Sequence, residues 1–239
     1  MISPYDRYDN YYIAYLDILG FKDMIDNKPC SYIWDVFNDN MTSLHLVGIY
    51  KNNCSVFDVN NIHMKVMSDS VIFYIKESIE YSFLALVLTC LSFQIQLLTR
   101  KEPILTRGAI VCGKMFVGET AKDSDVMFGP GFVEAYKMQE FVAKVPRIIT
   151  TKMTVKFAIR GWEKDFIDLL YSKLFLDYDE YFAINYLGEF KKEGRDCERL
   201  LEHVENTLSN SINPSIRDKY LYLKNNMLKY WNSQENQNV

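Results

Sequence analysis

In residues 61–76, NIHMKVMSDSVIFYIK, apolar side chains recur with period two on both sides of Ser68-Asp69-Ser70. Ile62, Met64 and Val66 share one face of the first run; Val71, Phe73 and Ile75 share one face of the second. Two short period-two runs joined by turn residues predict a β-hairpin with one buried face. A hairpin is not stable alone, so the rest of the chain must provide neighbouring strands and a covering layer. Residues 11–17, YYIAYLD, predict another strand, and residues 79–99 a long apolar helix. The most apolar part of that helix, FLALVLTCLSF (83–93), is broken by Thr89 and Ser92. It falls short of the roughly 20 residues of a membrane span, so it reads as a buried helix and no membrane partner is expected.

The remaining segments extend this pattern. Residues 20 to 50 have mixed helical periodicity with a break near Pro29. ILTRGAIVCGKMFVG (104–118) predicts two strands with Gly113 between or near them. GPGFVEAYKMQEFVAK (129–144) opens with Gly and Pro and then spaces Phe132, Ala135 and Met138 as a helix does. PRIIT (146–150) predicts a further strand. The order β-α-β-β-α-β, then a helix and a strand, predicts an α+β ferredoxin-like core: an antiparallel sheet with helices on one face. That core spans residues 1–160. Residues 161–239 read as a strand hairpin around an acidic turn (LFLDYDEYFAINYL, 174–187) and charged helices to Trp231, packed on the core.

Composition excludes some classes of function. With 49% hydrophobic residues the chain can bury a sizeable core. A net charge of -4 argues against a nucleic-acid partner. Five cysteines, Cys30, Cys54, Cys90, Cys112 and Cys197, form no CxxC pair, which favours a reducing cytoplasm over a disulfide framework or zinc site. His45, His63 and His203 are scattered without metal-ligand spacing. The opening MISPYDRYDN has no signal-peptide pattern, and the expected location is cytoplasmic.

Two carboxylates then matter. Asp17 ends the strand of residues 11–17, and Asp69 lies in the hairpin turn. In a split βαβ sheet these strands are neighbours, so their ends bring both carboxylates into one small volume. Like charges at that distance repel, and a divalent cation such as Mg²⁺ or Mn²⁺ removes the repulsion. Taken singly, Asp17 also suits a helix cap and Asp69 a tight turn. In DILGF, a carbonyl near Ile18 can add a metal oxygen, and the amides of Leu19, Gly20 and Phe21 can face phosphate oxygens at a helix start. Phe21 has two readings, wall of a nucleotide pocket or plain core. Arg107 interrupts an apolar strand and must reach solvent or a partner; beside the two aspartates it suits a phosphate. Lys137 and Arg147 read equally as solvated or functional, and Lys65 as facing a nucleobase or solvent.

In order and at suitable separations, YLDILGF, KVMSDSVIF, TRGAIVCG and FGPGFVEAYKMQ resemble the class III nucleotidyl cyclase catalytic domain. The wording RGAI then GPGFVEAYKMQEFVAKVPRI is most similar to the pyrimidine cyclases of the Pycsar anti-phage system, bacterial enzymes that make cyclic UMP or cyclic CMP as a signal to a separate effector protein. The resemblance covers residues 11–150. It implies that Asp17 and Asp69 bind two Mn²⁺ or Mg²⁺ ions with the Ile18 carbonyl, that Arg107 contacts the triphosphate, and that Lys137 stands where purine cyclases carry a transition-state arginine. It implies a nucleoside triphosphate substrate and a homodimer with active sites at the interface. Val133, and Val126 or Met127, replace polar residues of purine cyclases; Lys65 matches their base-selecting lysine. Pyrimidine cyclase, purine cyclase and silent nucleotide sensor are therefore all open, and the presence of both aspartates favours an enzyme.

Overall fold

The computed structural model describes residues 8–44, 50–51, 54–55, 59–119 and 125–232; His45 lies outside them. Strand β1 (Asp9–Ile18) leads through a left-handed glycine into α1 (Phe21–Asn27) and α2 (Cys30–Leu44). Two short strands, β2 (Tyr50–Lys51) and β3 (Cys54–Ser55), form a separate pair. The hairpin β4 (His63–Met67) and β5 (Ser70–Lys76) turns at Ser68, whose φ is 56°. Then follow α3 (Ser82–Thr99), β6 (Thr106–Glu119), β7 (Asp125–Phe128), α4 (Pro130–Phe141) and β8 (Ile148–Thr150). The C-terminal part adds α5 (Lys152–Ala158), α6 (Lys164–Ser172), the hairpin β9 (Leu174–Leu176) and β10 (Phe182–Ile184), and helices α7 (Tyr186–Lys192), α8 (Cys197–Asn210) and α9 (Pro214–Asn232).

The main sheet runs β4-β5-β1-β6-β8-β10-β9, with β7 paired to β6. Its first four members have the ferredoxin-like order. Every pair in it is antiparallel except β6 and β8, which are parallel. The C-terminal hairpin therefore continues the sheet of the core.

Alternation along β1 divides the interior. Tyr12, Ala14, Leu16 and Ile18 point to one face, where Phe73 and Ile75 of β5 and the apolar α3 form the larger core. Leu187, Phe190, Leu200, Val204, Leu223 and Met227 of the C-terminal helices close that core. Helix α3 is the one described helix long and apolar enough to cross a membrane, and 78% of that window is buried. Its last carbonyls, those of Leu98, Thr99 and Arg100, accept bonds from the Arg199 guanidinium at 3.3, 3.2 and 3.0 Å. A helix with no basic residue in its last turn thus has its orphan carbonyls satisfied from α8.

Tyr11, Ile13 and Tyr15 point to the other face, where Ala135 and Met138 of α4 cover them. The helices accordingly lie on both faces, whereas the strand order alone predicts one face. A second correction concerns β6, expected as two strands and found as one of 14 residues. Gly113 is not a turn there. A Cβ on it would sit 2.6 Å from the Gly131 Cα, so the glycine marks where α4 touches the sheet. Strand β7 and helices α5 and α6 carry no strong sequence pattern and were not expected.

Arg147 ties the C-terminal part to the core. Its side chain is 1% exposed, and it donates to Asp177 at 2.7 Å and to Asp179 at 2.9 Å, both in the acidic β9–β10 turn. Tyr222 of α9 donates to the same Asp177 at 2.7 Å. The two readings left open for Arg147 resolve to a buried structural role. Removing the guanidinium leaves carboxylates without their counter-charge, and Arg147→Met should lower stability by about 3–5 kcal/mol in chemical denaturation. Burial pushes Asp179 up, but the Arg147 bonds outweigh it and hold the carboxyl below its ordinary value. Its contribution is present above the unfolded value of about 3.9 and is lost as pH falls through the lower folded value. Asp179→Asn should therefore flatten the acid limb of a stability-versus-pH curve.

Candidate active site

The site is built by cross-strand register. Asp17 faces Ser70 on β5 and Arg107 on β6, so all three occupy one row at the end of the sheet. Alternation places Asp17 on the α4 face with Tyr15. The Tyr15 hydroxyl donates to Ser70 Oγ at 3.1 Å, and its ring meets Phe132 and Tyr136 of α4 edge-on, at 5.8 and 5.5 Å. These contacts seat α4 over the row.

Arg107 Nε donates to Asp17 Oδ2 at 2.7 Å, and its Nη2 donates to Glu140 Oε2 at 3.1 Å. Asp17 and Arg107 each keep 16% of their side-chain surface, and Glu140 keeps 38%. The pair is thus shielded but reachable. Asp69 approaches from the β4–β5 turn. Its carbonyl accepts from the Ile18 amide at 2.9 Å, and its negative charge is felt at the Asp17 carboxyl. Burial pushes the Asp17 carboxyl above its ordinary value; the Arg107 bond pulls it back, and the negative charge of Asp69 pushes it up again. The net direction is up, with burial the largest cause.

That donor set suits a hard dication. Two carboxylates converge, and the backbone polar groups of Ile18 point toward the same turn, since both groups of a strand residue face one neighbour. Oxygen donors with room for phosphate oxygens fit Mg²⁺ or Mn²⁺. Among the described residues no group of three or more His, Cys, Asp or Glu side chains is placed to hold a metal. A metal here would have to draw further ligands from backbone, water and substrate.

The other sequence-derived candidates divide. Lys65 stands opposite Ile72, which stands opposite Tyr15, so it shares the Asp17 face of the sheet. Lys137 is exposed on α4 and, among the described residues, makes no ion pair or hydrogen bond; the chain does not bring it to its own acid pair. The Leu19 amide is already engaged by the Leu105 carbonyl at 2.9 Å, which corrects its expected place among phosphate donors. Phe21 is 7% exposed and packs in the larger core 6.1 Å from Phe37, so it walls no nucleotide pocket. Gly20 does make the turn, with φ at 77° and open space around it. Its amide and that of Phe21 head a helix of only seven residues. Val133 and Val126 are exposed. Glu140 was missed by sequence reasoning. Its one signal is its position a turn beyond Lys137, and nothing in the sequence links it to Arg107.

No family model matches this sequence, and no curated protein matches it. Solved structures do. The guanylate cyclase domain of RhGC from Catenaria anguillulae, in complex with GTP, superposes with a TM-score of 0.51 over 65% of this chain and 84% of that one, at 15% identity. A mutant guanylyl cyclase domain of the RhoGC fusion protein from Blastocladiella emersonii gives 0.52 over 74% and 93%, at 13% identity. A bacterial light-regulated adenylyl cyclase gives 0.50 over 84% and 100%, also at 13% identity. The fold is that of the class III nucleotidyl cyclase domain. At these identities the likeness is one of fold.

Removing one of two repelling carboxylates relieves the folded state when no metal is present. Asp69→Asn should raise stability by about 0.5–1 kcal/mol in metal-free buffer, measured by chemical denaturation. An unchanged or lowered midpoint would mean that the two carboxylates do not repel.

Proposed function

We propose that this chain is a pyrimidine nucleotide cyclase, converting UTP or CTP to the 3′,5′-cyclic monophosphate and pyrophosphate. One observation carries the cyclase reading: Asp17 and Asp69, distant in sequence, meet beside Arg107 within a cyclase fold. The catalytic unit spans residues 1–160, with residues 161–239 as its packed extension. The pyrimidine assignment rests on Val133, and on Val126 or Met127, apolar where purine cyclases carry polar partners for ribose and base; Val133 and Val126 are exposed. By the same resemblance the product is a second messenger in bacterial anti-phage defence, made in the cytoplasm and read by a separate effector.

The reaction forms a bond between the ribose 3′ oxygen and the α-phosphorus and breaks the bond from that phosphorus to the pyrophosphate oxygen. Asp17, Asp69 and the Ile18 carbonyl would hold two Mg²⁺ or Mn²⁺ ions, which when bound would supply acidity to the 3′ hydroxyl and positive charge to the triphosphate. Arg107 exchanges Asp17 and Glu140 for phosphate oxygens, with its planar fork suited to them. Lys137 adds positive charge to the phosphoryl oxygens as charge builds there. By the family resemblance the basic helix residue of one copy serves the site of the other, so Lys137 is read as completing a second copy's site and the active form as a homodimer with two shared sites. Val133, Tyr136 and Phe141 are 46, 44 and 65% exposed around it, an apolar surface suited to such a partner.

A purine reading has its own support. Lys65 lies on the Asp17 face, where a base-selecting lysine belongs, and similar structures include a guanylate cyclase domain in complex with GTP. Incubating the protein with each of the four nucleoside triphosphates and Mn²⁺ separates the readings. Cyclic UMP or cyclic CMP is the expected product; cyclic AMP or cyclic GMP would move the assignment to purines, and no product from any would leave a nucleotide sensor. Asp17→Ala and Asp69→Ala should each abolish cyclisation while the dimer stays folded. Mixing Asp69→Ala with Lys137→Ala protein should restore part of the activity, and no rescue would count against shared sites.

A further inference from the structure

Glu140 stands in the last turn of α4, yet its one ion pair among the described residues crosses to β6. Lys137 lies three residues before it on the same helix, a spacing at which helices pair opposite charges. No such pair forms between the two. Glu140 Oε2 instead accepts from Arg107 Nη2 at 3.1 Å. The helix is seated where this bond can form. The Tyr136 ring, one turn before Glu140, meets Tyr15 edge-on at 5.5 Å, and Gly131 lies against Gly113 of β6.

Arg107 therefore divides one guanidinium between two carboxylates. Nε donates to Asp17 Oδ2 at 2.7 Å and Nη2 donates to Glu140, while Nη1 has no partner among the described residues. The two carboxylates stand differently. Asp17 lies in the row with Ser70 and keeps 16% of its side-chain surface; Glu140 is on the covering helix and keeps 38%. Asp17 cannot serve the guanidinium and a dication through the same oxygen, because two cations that close repel strongly. Glu140 has no such conflict. It already binds the guanidinium and stands outside the acid pair.

We infer that Glu140 is a positioning residue that holds Arg107 when Asp17 gives it up. Arg107 leaves its partners in order: Asp17 as that carboxylate turns to a divalent cation, then Glu140 as phosphate oxygens take the fork. Glu140 thus keeps a cation for the substrate in the row without closing Asp17 to the metal. All three residues belong to one chain. The inference deepens the cyclase reading and rests on it for the role of Asp17 toward a cation.

The test uses the full chain and Mn²⁺ alone, with no nucleotide, reading the free ion by electron paramagnetic resonance. Binding that wild type shows and Asp17→Asn protein lacks is binding at the acid pair. Glu140→Gln should weaken it about tenfold, the loss of one charge-assisted contact. Glu134→Gln is the control. It takes the same charge from an exposed position two turns earlier on α4, and screening should keep its effect below about twofold. Arg107→Met removes the competing guanidinium and should tighten binding. In that background Glu140→Gln should change binding by less than about twofold, since Glu140 acts through Arg107. Arg107→Gln serves the same cycle if Arg107→Met does not fold. Unchanged Mn²⁺ binding in Glu140→Gln or in the Arg107 variant overturns the inference. So does a Glu140→Gln effect equally large with and without Arg107, which would make Glu140 a metal ligand, and so does a wild type that binds no Mn²⁺ at the acid pair. A protein that shows the expected pattern but forms no cyclic product loses the cyclase reading and keeps the role of Glu140.

Discussion

The register of β1 against its two neighbours is the constraint on which everything else depends. β1 is paired on both edges, with Asp17 opposite Ser70 on one side and Arg107 on the other. Side chains alternate with period two, so a slip of one residue would send Asp17 into the apolar core and bring Leu16 or Ile18 to the α4 face. The register is held by burial on both faces at once. Leu16 and Ile18 fill the larger core, and Ile13 and Tyr15 fill the smaller. A strand anchored on both faces can carry a carboxylate at its end without drifting, and a metal or phosphate site needs that precision of position.

Two arginines on adjacent strands show how surroundings decide a role. Arg147 is buried beneath the acidic β9–β10 turn with Asp177 and Asp179, and its partners belong to the scaffold. Arg107 is partly exposed, and its partners Asp17 and Glu140 line an open row. An ion pair around a buried guanidinium gives up its partners only at high cost, whereas one whose arginine is itself reachable can trade them for a charged ligand. Chain chemistry is the same in both; enclosure separates structure from function. The network around the buried arginine also fixes α9, through the Tyr222 bond to Asp177.

Much of this was legible in the chain. The hairpin of residues 61–76 read correctly as a hairpin, although its burial did not follow the alternation: β5 is buried on both faces and no residue of β4 is fully buried. The approach of Asp17 and Asp69 followed from strand order, which is a matter of connectivity. Three features resisted. Gly113 looked like a turn, since a glycine placed for close helix approach and one placed for a bend leave the same letter. Phe21 looked open to two roles, and packing against Phe37 chose between them. The Leu19 amide looked available until Leu105 was seen to take it. Backbone partners across a sheet have no sequence signature of their own.

By itself the sequence determined the local periodicities, the strand order they permit and the two acidic positions at strand ends, because those follow from side-chain alternation and chain connectivity. Only the tertiary structure decided that α4 covers the second face of the sheet, that Glu140 shares Arg107 with Asp17, and that Arg147 ties the C-terminal hairpin and α9 to the core. Each of these depends on where elements far apart in the chain come to rest. That is set by the summed packing of many buried contacts, and no short stretch of residues encodes it.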